Sequence, residues 1–180
     1  NTTTRDTLSL HDALPICLLA GGFIETSAKG DLGVAPSASV TPGAGGTWLL
    51  DPRNVRIQTT GAGVGAGVND PPAGPGDWVV DRDVIQSVLD LGSDVTITTN
   101  VAGPQLGNIT VNAGISWSGA GSLTLIADNN LVINQAITTS GAGSFTGIAA
   151  TDTTIAAPLT SSGNGDLRID TGRNLIVNHN

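Results

Sequence analysis

The stretch SGAGSLTLIADNN (residues 118–130) returns in altered form further along the chain: its opening four letters recur as SGAG at Ser140 and as SGNG at Ser162, in steps of 22 residues. At that spacing ITVNAGIS (from Ile109), LVINQAIT (from Leu131), TTIAAPLT (from Thr153) and LIVN (from Leu175) superpose. SLTLIADNN (from Ser122), SFTGIAATD (from Ser144) and DLRIDTGRN (from Asp166) superpose as well. Apolar residues then stand over apolar residues. One column is Val111, Ile133, Ile155 and Val177, a second is Ile115, Ile137 and Leu159, and a third is Leu123, Phe145 and Leu167. Within each unit these side chains alternate with Thr, Asn, Ser, Asp or Arg, the period-two pattern of strands with one buried face.

A repeat of this length signals a solenoid or a propeller. A propeller blade needs roughly 40 residues for its four strands, whereas 22 residues suffice for three short strands and their corners. The reading is therefore an all-β chain forming a parallel β-helix with 22-residue coils, each coil hydrogen-bonded to the next at about 4.8 Å. Parallel crossover connections favour the right hand. One coil cannot offset its own ordering entropy, so stability belongs to the stack.

The SGAG elements fall at the corners, where glycines are expected to supply positive φ. They open no helix and carry no neighbouring basic residue, so a phosphate loop is the weaker reading, as it is for GAGVGAG (from Gly61). Asn112, Asn134 and Asn178 share a column that Ala156 interrupts. Stacked amides one coil apart can bond along the axis, giving these residues a structural role.

Upstream the pattern loosens. Strand-like pieces occur around Phe23–Glu25, Trp48–Leu50 and Val55–Ile57, with Asp51-Pro52 turning the chain between the last two. A Gly/Pro-rich loop covers about 60–77. A short helix is expected near 82–91, with an Asp at its start, Val84, Ile85, Val88 and Leu89 on one face turned to the solenoid core, and Gly92 as its stop. Regular coils run from about 94 to 180 after an insertion at VAGPQL, so residues 18–180 read as a single β-helix domain fragment.

Composition narrows the function classes. Seven basic against fifteen acidic residues give a net charge of −8, and aromatics make up 3% of the chain. That balance repels phosphate backbones and offers no set of stacking rings, so nucleic acid is not an expected partner. No apolar run is long enough for a membrane span. With two His, one Cys and no Tyr or Met, the chain is chemically sparse: no catalytic, metal-binding or cofactor-binding residues are assigned, and the expected cofactor is none.

The first residues stand apart. TLSLHDALPI (Thr7–Ile16) resembles the conceptual translation of a sequencing adapter, so residues 1–17 are not expected to be a domain. His11, Asp12 and Cys17 are accordingly kept out of any active site. The missing initiator Met and the mid-pattern end at NLIVNHN read as a fragment.

GGFIETSAKG, followed by GGTWLLDPRNVRI, the short helix and SDVTITTN, carries a family resemblance. From about Gly21 to Asn180 the chain resembles the filamentous haemagglutinin-like exoproteins of two-partner secretion. In that family G-G-x-x-E-T-S and W-L-L-D-P elements follow the amino-terminal secretion domain and lead into a long right-handed β-helix shaft. ETSAKG stands where an ETSG form is common, and the secretion domain with its Asn-Pro-containing motifs is not visible. The resemblance implies a secreted, cell-surface or outer-membrane location in a Gram-negative bacterium. It also implies that the parent protein engages an outer-membrane transporter, and that distal regions meet a receptor on a host or neighbouring cell or carry a toxin.

Another reading is a carbohydrate-active β-helix, a polysaccharide lyase or glycan-binding module. Asp128, Asp152, Asp166 and Asp170, with Arg168 and Arg173 nearby, would supply its outer face. Solvated charges explain these residues more simply, and GNGDLRID (from Gly163) matches a calcium-binding nonapeptide only in part. His179 has no partnered Ser or Cys at readable spacing. Trp48 and Trp117 lie in alternating strands and are expected to be packed. Trp78, beside the loop, is the tryptophan to test for ligand contact.

Overall fold

The computed structural model describes residues 21–27, 39–59, 77–99 and 106–179. The segment 1–17, all but the last residue of the loop at 60–77, and VAGPQ of the insertion lie outside these residues. What is described is a β-solenoid of about 6 turns, with about 22 residues per coil and one short helix.

Three parallel sheets form its walls. The first, in spatial order, contains β1 (Phe23–Ser27), β2 (Thr47–Asp51), β5 (Asp94–Thr98), β8 (Leu123–Ala127), β11 (Phe145–Ala149) and β14 (Leu167–Thr171). The second runs β4 (Trp78–Asp81), β3 (Val55–Gln58), β6 (Ile109–Val111), β9 (Leu131–Ile133), β12 (Asp152–Ile155) and β15 (Asn174–Val177). The third, among the described residues, holds β7 (Ile115–Trp117), β10 (Ile137–Thr139) and β13 (Leu159–Ser161). Between β4 and β5 the chain forms α1 (Arg82–Asp90).

The registers are those of the repeat. Leu123 pairs with Phe145 and Phe145 with Leu167. Ile115 pairs with Ile137 and Ile137 with Leu159. Val111 pairs with Ile133, which sits over Ile155, itself paired with Val177. Since successive strand residues face opposite sides, this register turns these three apolar columns toward the inside of the tube. Trp48, Ile97, Leu125, Leu131 and Phe145 are fully buried there. Burial declines at the last coil, where Leu167, Leu175 and Val177 lack a following coil in the structure, and Val177 is 59% exposed.

α1 forms where the apolar period changes from two to about 3.6. Asp81 is the N-cap, accepting from the Asp83 amide at 2.7 Å. Val84, Ile85, Val88 and Leu89 are buried in the core cluster, and Gly92, at φ 79°, turns the chain after the helix. The helix face therefore packs on the solenoid core.

One feature has no counterpart in the sequence reading, and a second departs from it. β4 does not continue the winding: it pairs with β3 on the side away from β6, and all four of its residues are buried. The corner glycines are not in the left-handed region, because the positive-φ glycines are Gly21, Gly43, Gly45, Gly92 and Gly107. Their reason is close approach between coils. A Cβ at Gly121 would overlap the Ser93 carbonyl, one at Gly143 the Gly121 carbonyl, and one at Gly165 the Gly143 carbonyl.

One core position is misfitted. Thr153 stands in the inward column of Ile109, Leu131 and Leu175, completely buried, with no hydrogen-bond partner for its hydroxyl. A buried unpaired hydroxyl costs about 1–3 kcal/mol. Thr153→Val is therefore expected to raise unfolding stability by about 1 kcal/mol, read as a higher denaturation midpoint at unchanged slope.

Candidate functional site

The chemistry-bearing residues gather at the corners, where side-chain polar groups run from coil to coil. At the turn from the first sheet to the second, the Asn54 Oδ1 accepts the amides of Gly107 and Asn108, at 3.0 and 2.8 Å. Asn108 Oδ1 accepts the Asn130 amide at 3.2 Å, and Asn130 Oδ1 the Asp152 amide at 3.1 Å. Asp152 Oδ1 in turn accepts the Asn174 amide at 3.2 Å. Each short side chain thereby supplies an acceptor to the equivalent residue of the following coil, an Asx contact made between turns of the solenoid instead of within one loop.

A second ladder climbs the corner that precedes the first sheet. Asp94 Oδ1 accepts the Ser122 amide at 2.8 Å, Ser122 Oγ the Ser144 amide at 3.1 Å, and Ser144 Oγ the Asp166 amide at 3.0 Å. Inside the same corner, Trp117 Nε1, Thr139 Oγ1 and Ser161 Oγ donate to the carbonyls of Gly121, Gly143 and Gly165. The column expected at Asn112, Asn134 and Asn178 contains one rung, Asn134 Nδ2 donating to Asn112 Oδ1 at 2.9 Å on the exposed surface. Ala156 stands between it and Asn178.

The carboxylates are held in structural contacts. Asp152 accepts from Arg173 Nε at 2.9 Å and from Asn174 Nδ2 at 2.9 Å, and it also pairs with Arg173 Nη2. Asp170 pairs with Arg168 at 3.2 Å on the exposed face of β14. Asp51 has one carboxylate oxygen buried without a partner. Its pKa is raised by that burial first, then by the charges of Glu25 and Asp128. Among the described residues no three His, Cys, Asp or Glu side chains converge in a way that could hold a metal ion.

The three tryptophans form no exposed platform for a sugar. Trp48 and Trp117 are packed in the core, and Trp78, the candidate for ligand contact, is only 6% exposed. Trp48 Nε1 also donates to Thr26 Oγ1 at 2.9 Å, across one coil. The Trp78 ring is therefore a core element, buried because β4 pairs against β3 at the wall of the tube. His179 is exposed.

Sequence reasoning found the apolar columns and missed the principal ladder. Its signal was present: Asn108, Asn130, Asp152 and Asn174 recur in the same 22-residue frame. Side chains that take part in bonds between coils look, in sequence, like ordinary turn residues.

The Asp152 pair yields a pH prediction. Hydrogen bonding from Arg173, reinforced by Asn174, holds the Asp152 carboxyl down to about 2 against a burial effect that opposes it. A carboxyl with a lowered folded-state pKa stabilises the fold above its ordinary value of 3.8 and loses that contribution as pH falls. The last coil is expected to loosen as pH drops from about 4 toward about 2, seen as a loss of protection of the Asn174 amide relative to the unstructured-peptide exchange rate at the same pH. Asp152→Asn should flatten that dependence. Asp51 acts with opposite sign, favouring the fold most when protonated and less as pH rises through its raised pKa.

Comparison with known proteins finds no family model, curated protein or solved structure that matches the chain.

Proposed function

We propose that the chain is a length of the structural shaft of a large secreted or cell-surface bacterial adhesin, exported by two-partner secretion, and that its role is to hold a distal binding or toxin region away from the cell. The observation that supports this reading most is the unbroken first sheet, whose six parallel strands keep the apolar columns in line from β1 to β14. Six strands at about 4.8 Å give a wall roughly 24 Å long along the axis. Such a body is stiff because bending it would open inter-coil hydrogen bonds on one side and compress packed side chains on the other. The stretches GGFIETS and GGTWLLDPRNVRI, which carry the family resemblance, contribute β1, β2 and most of β3 to the same tube. The corner ladders and core tryptophans serve coil stacking, which fits a mechanical part more simply than a catalytic one.

The test is location and dependence. Antibodies raised against the chain should label intact cells of the bacterium that encodes it, or its culture medium, and labelling should disappear when the cognate outer-membrane transporter is deleted. Purified chain should give blank glycan arrays and release no unsaturated product from polygalacturonate. Product release that disappears on replacing Asp152 or Asp170 would overturn the shaft reading in favour of a carbohydrate-active β-helix.

A further inference from the structure

Among the described residues the third sheet has strands at three levels where the other two have six, and on the side of β7 away from β10 lies α1. We propose that α1 is a strand mimic, presenting one row of side chains that reproduces the hydrogen bonds of a preceding parallel strand and so closes this edge of the sheet. The inference does not depend on the shaft reading.

The row is Arg82, Gln86, Asp90 and, just past the helix, Asp94, each four residues from the last. Arg82 Nη1 donates to the Gly114 carbonyl at 3.3 Å, and Gln86 Oε1 accepts the Ser116 amide at 2.9 Å. Asp90 Oδ1 accepts the amides of Ser118 and Gly119, at 2.7 and 3.2 Å, and the Ser118 hydroxyl at 3.2 Å. Asp94 Oδ1 accepts the Ser122 amide. The partners advance in the same direction as the helix, in steps of two strand residues over the first three contacts. The two spacings are commensurate: four helical residues rise about 6.0 Å, and two strand residues about 6.6 Å.

The substitution is specific to what a strand would provide. In the next coils, the residues equivalent to Ser118 bond backward to backbone carbonyls, Ser140 to Trp117 and Ser162 to Thr139. At β7 that carbonyl is replaced by a carboxylate oxygen of Asp90, while the apolar face of α1 continues the core column beneath. The helix also sits tightly on the corner, since a Cβ at Gly119 would overlap the Leu89 carbonyl. An exposed strand edge is otherwise a template for pairing with another chain, and donors left open in a row would be satisfied only by water.

Amide hydrogen exchange on the whole chain tests this. Asp90→Ala should speed exchange at Ser118 and Gly119 by about tenfold or more, leaving Ser140 and Ser162 unchanged. Asp90→Asn keeps an acceptor oxygen in place and should retain the wild-type protection at Ser118. Equal exchange at Ser118 in the Ala and Asn variants would overturn the proposal. Should Asp90→Ala fail to fold, the Asn variant decides alone: retained protection supports the strand mimic, and lost protection refutes it.

Discussion

Gly143→Ala should destabilise the solenoid by about 3 kcal/mol, the upper end of the usual cost of overpacking, although it adds a single methyl group at a corner. The new Cβ would overlap the backbone carbonyl of Gly121 in the preceding coil and stand 2.7 Å from Trp117 Nε1. Neither neighbour can yield cheaply. The carbonyl of Gly121 is fixed by the Trp117 indole at 2.8 Å, and the Gly143 carbonyl is held in turn by Thr139 Oγ1 at 2.9 Å. Relief therefore requires neighbouring coils to part, and parting them weakens the ladders on either side. Gly114→Ala is the matched control, because its Cβ would meet nothing nearer than the Ala136 carbonyl at 3.5 Å. That substitution is expected to be neutral, or stabilising by about 0.5 kcal/mol through a less flexible unfolded chain. Equilibrium denaturation of both variants measures the difference, and equal effects would refute the close-approach account of the corners.

A second large effect follows from a single column. Ile133 is fully buried between Val111 and Ile155, so Ile133→Ala removes packed atoms from the middle of the stack and leaves a cavity. The expected loss is about 2–5 kcal/mol, a large part of the total stability of an ordinary domain. Val177 occupies the equivalent site in the last coil but is 59% exposed. Val177→Ala should therefore cost less than about 0.5 kcal/mol. The residues differ little in chemistry, and their places in the stack differ completely. Comparable losses at both would mean that burial in the tube is not what the column contributes.

The apolar columns were legible from the sequence because two periods coincide in it. The period of two fixes which side chains turn inward, and the period of 22 fixes which of them meet, as Leu123, Phe145 and Leu167 do. The helix was legible for a similar local reason, its apolar residues falling at helical spacing between Asp81 and Gly92. What escaped reading depends on contacts between distant residues. A glycine at a corner carries the same letter whether it serves a positive φ or a neighbouring carbonyl, so the role of Gly143 could be seen only with the adjacent coil in place. The reversed seat of β4 against β3 likewise has no signature within WVVD. The side-chain ladder through Asn108, Asn130, Asp152 and Asn174 carried a repeat in plain view, yet Asn and Asp are common in every turn and drew no notice. Trp78 misled in the opposite sense: its place beside a loop suggested access, and strand pairing buried it.

In that ladder the oxygen always belongs to the earlier coil and the amide to the later one. The backbone bonds between coils run both ways, as from the Ile109 amide to the Asn130 carbonyl and from the Asn134 amide to the Val111 carbonyl, so the direction belongs to the side chains alone. A coil docking on the later end of the stack would find these side-chain acceptors already set, whereas one docking on the earlier end would have to bring its own.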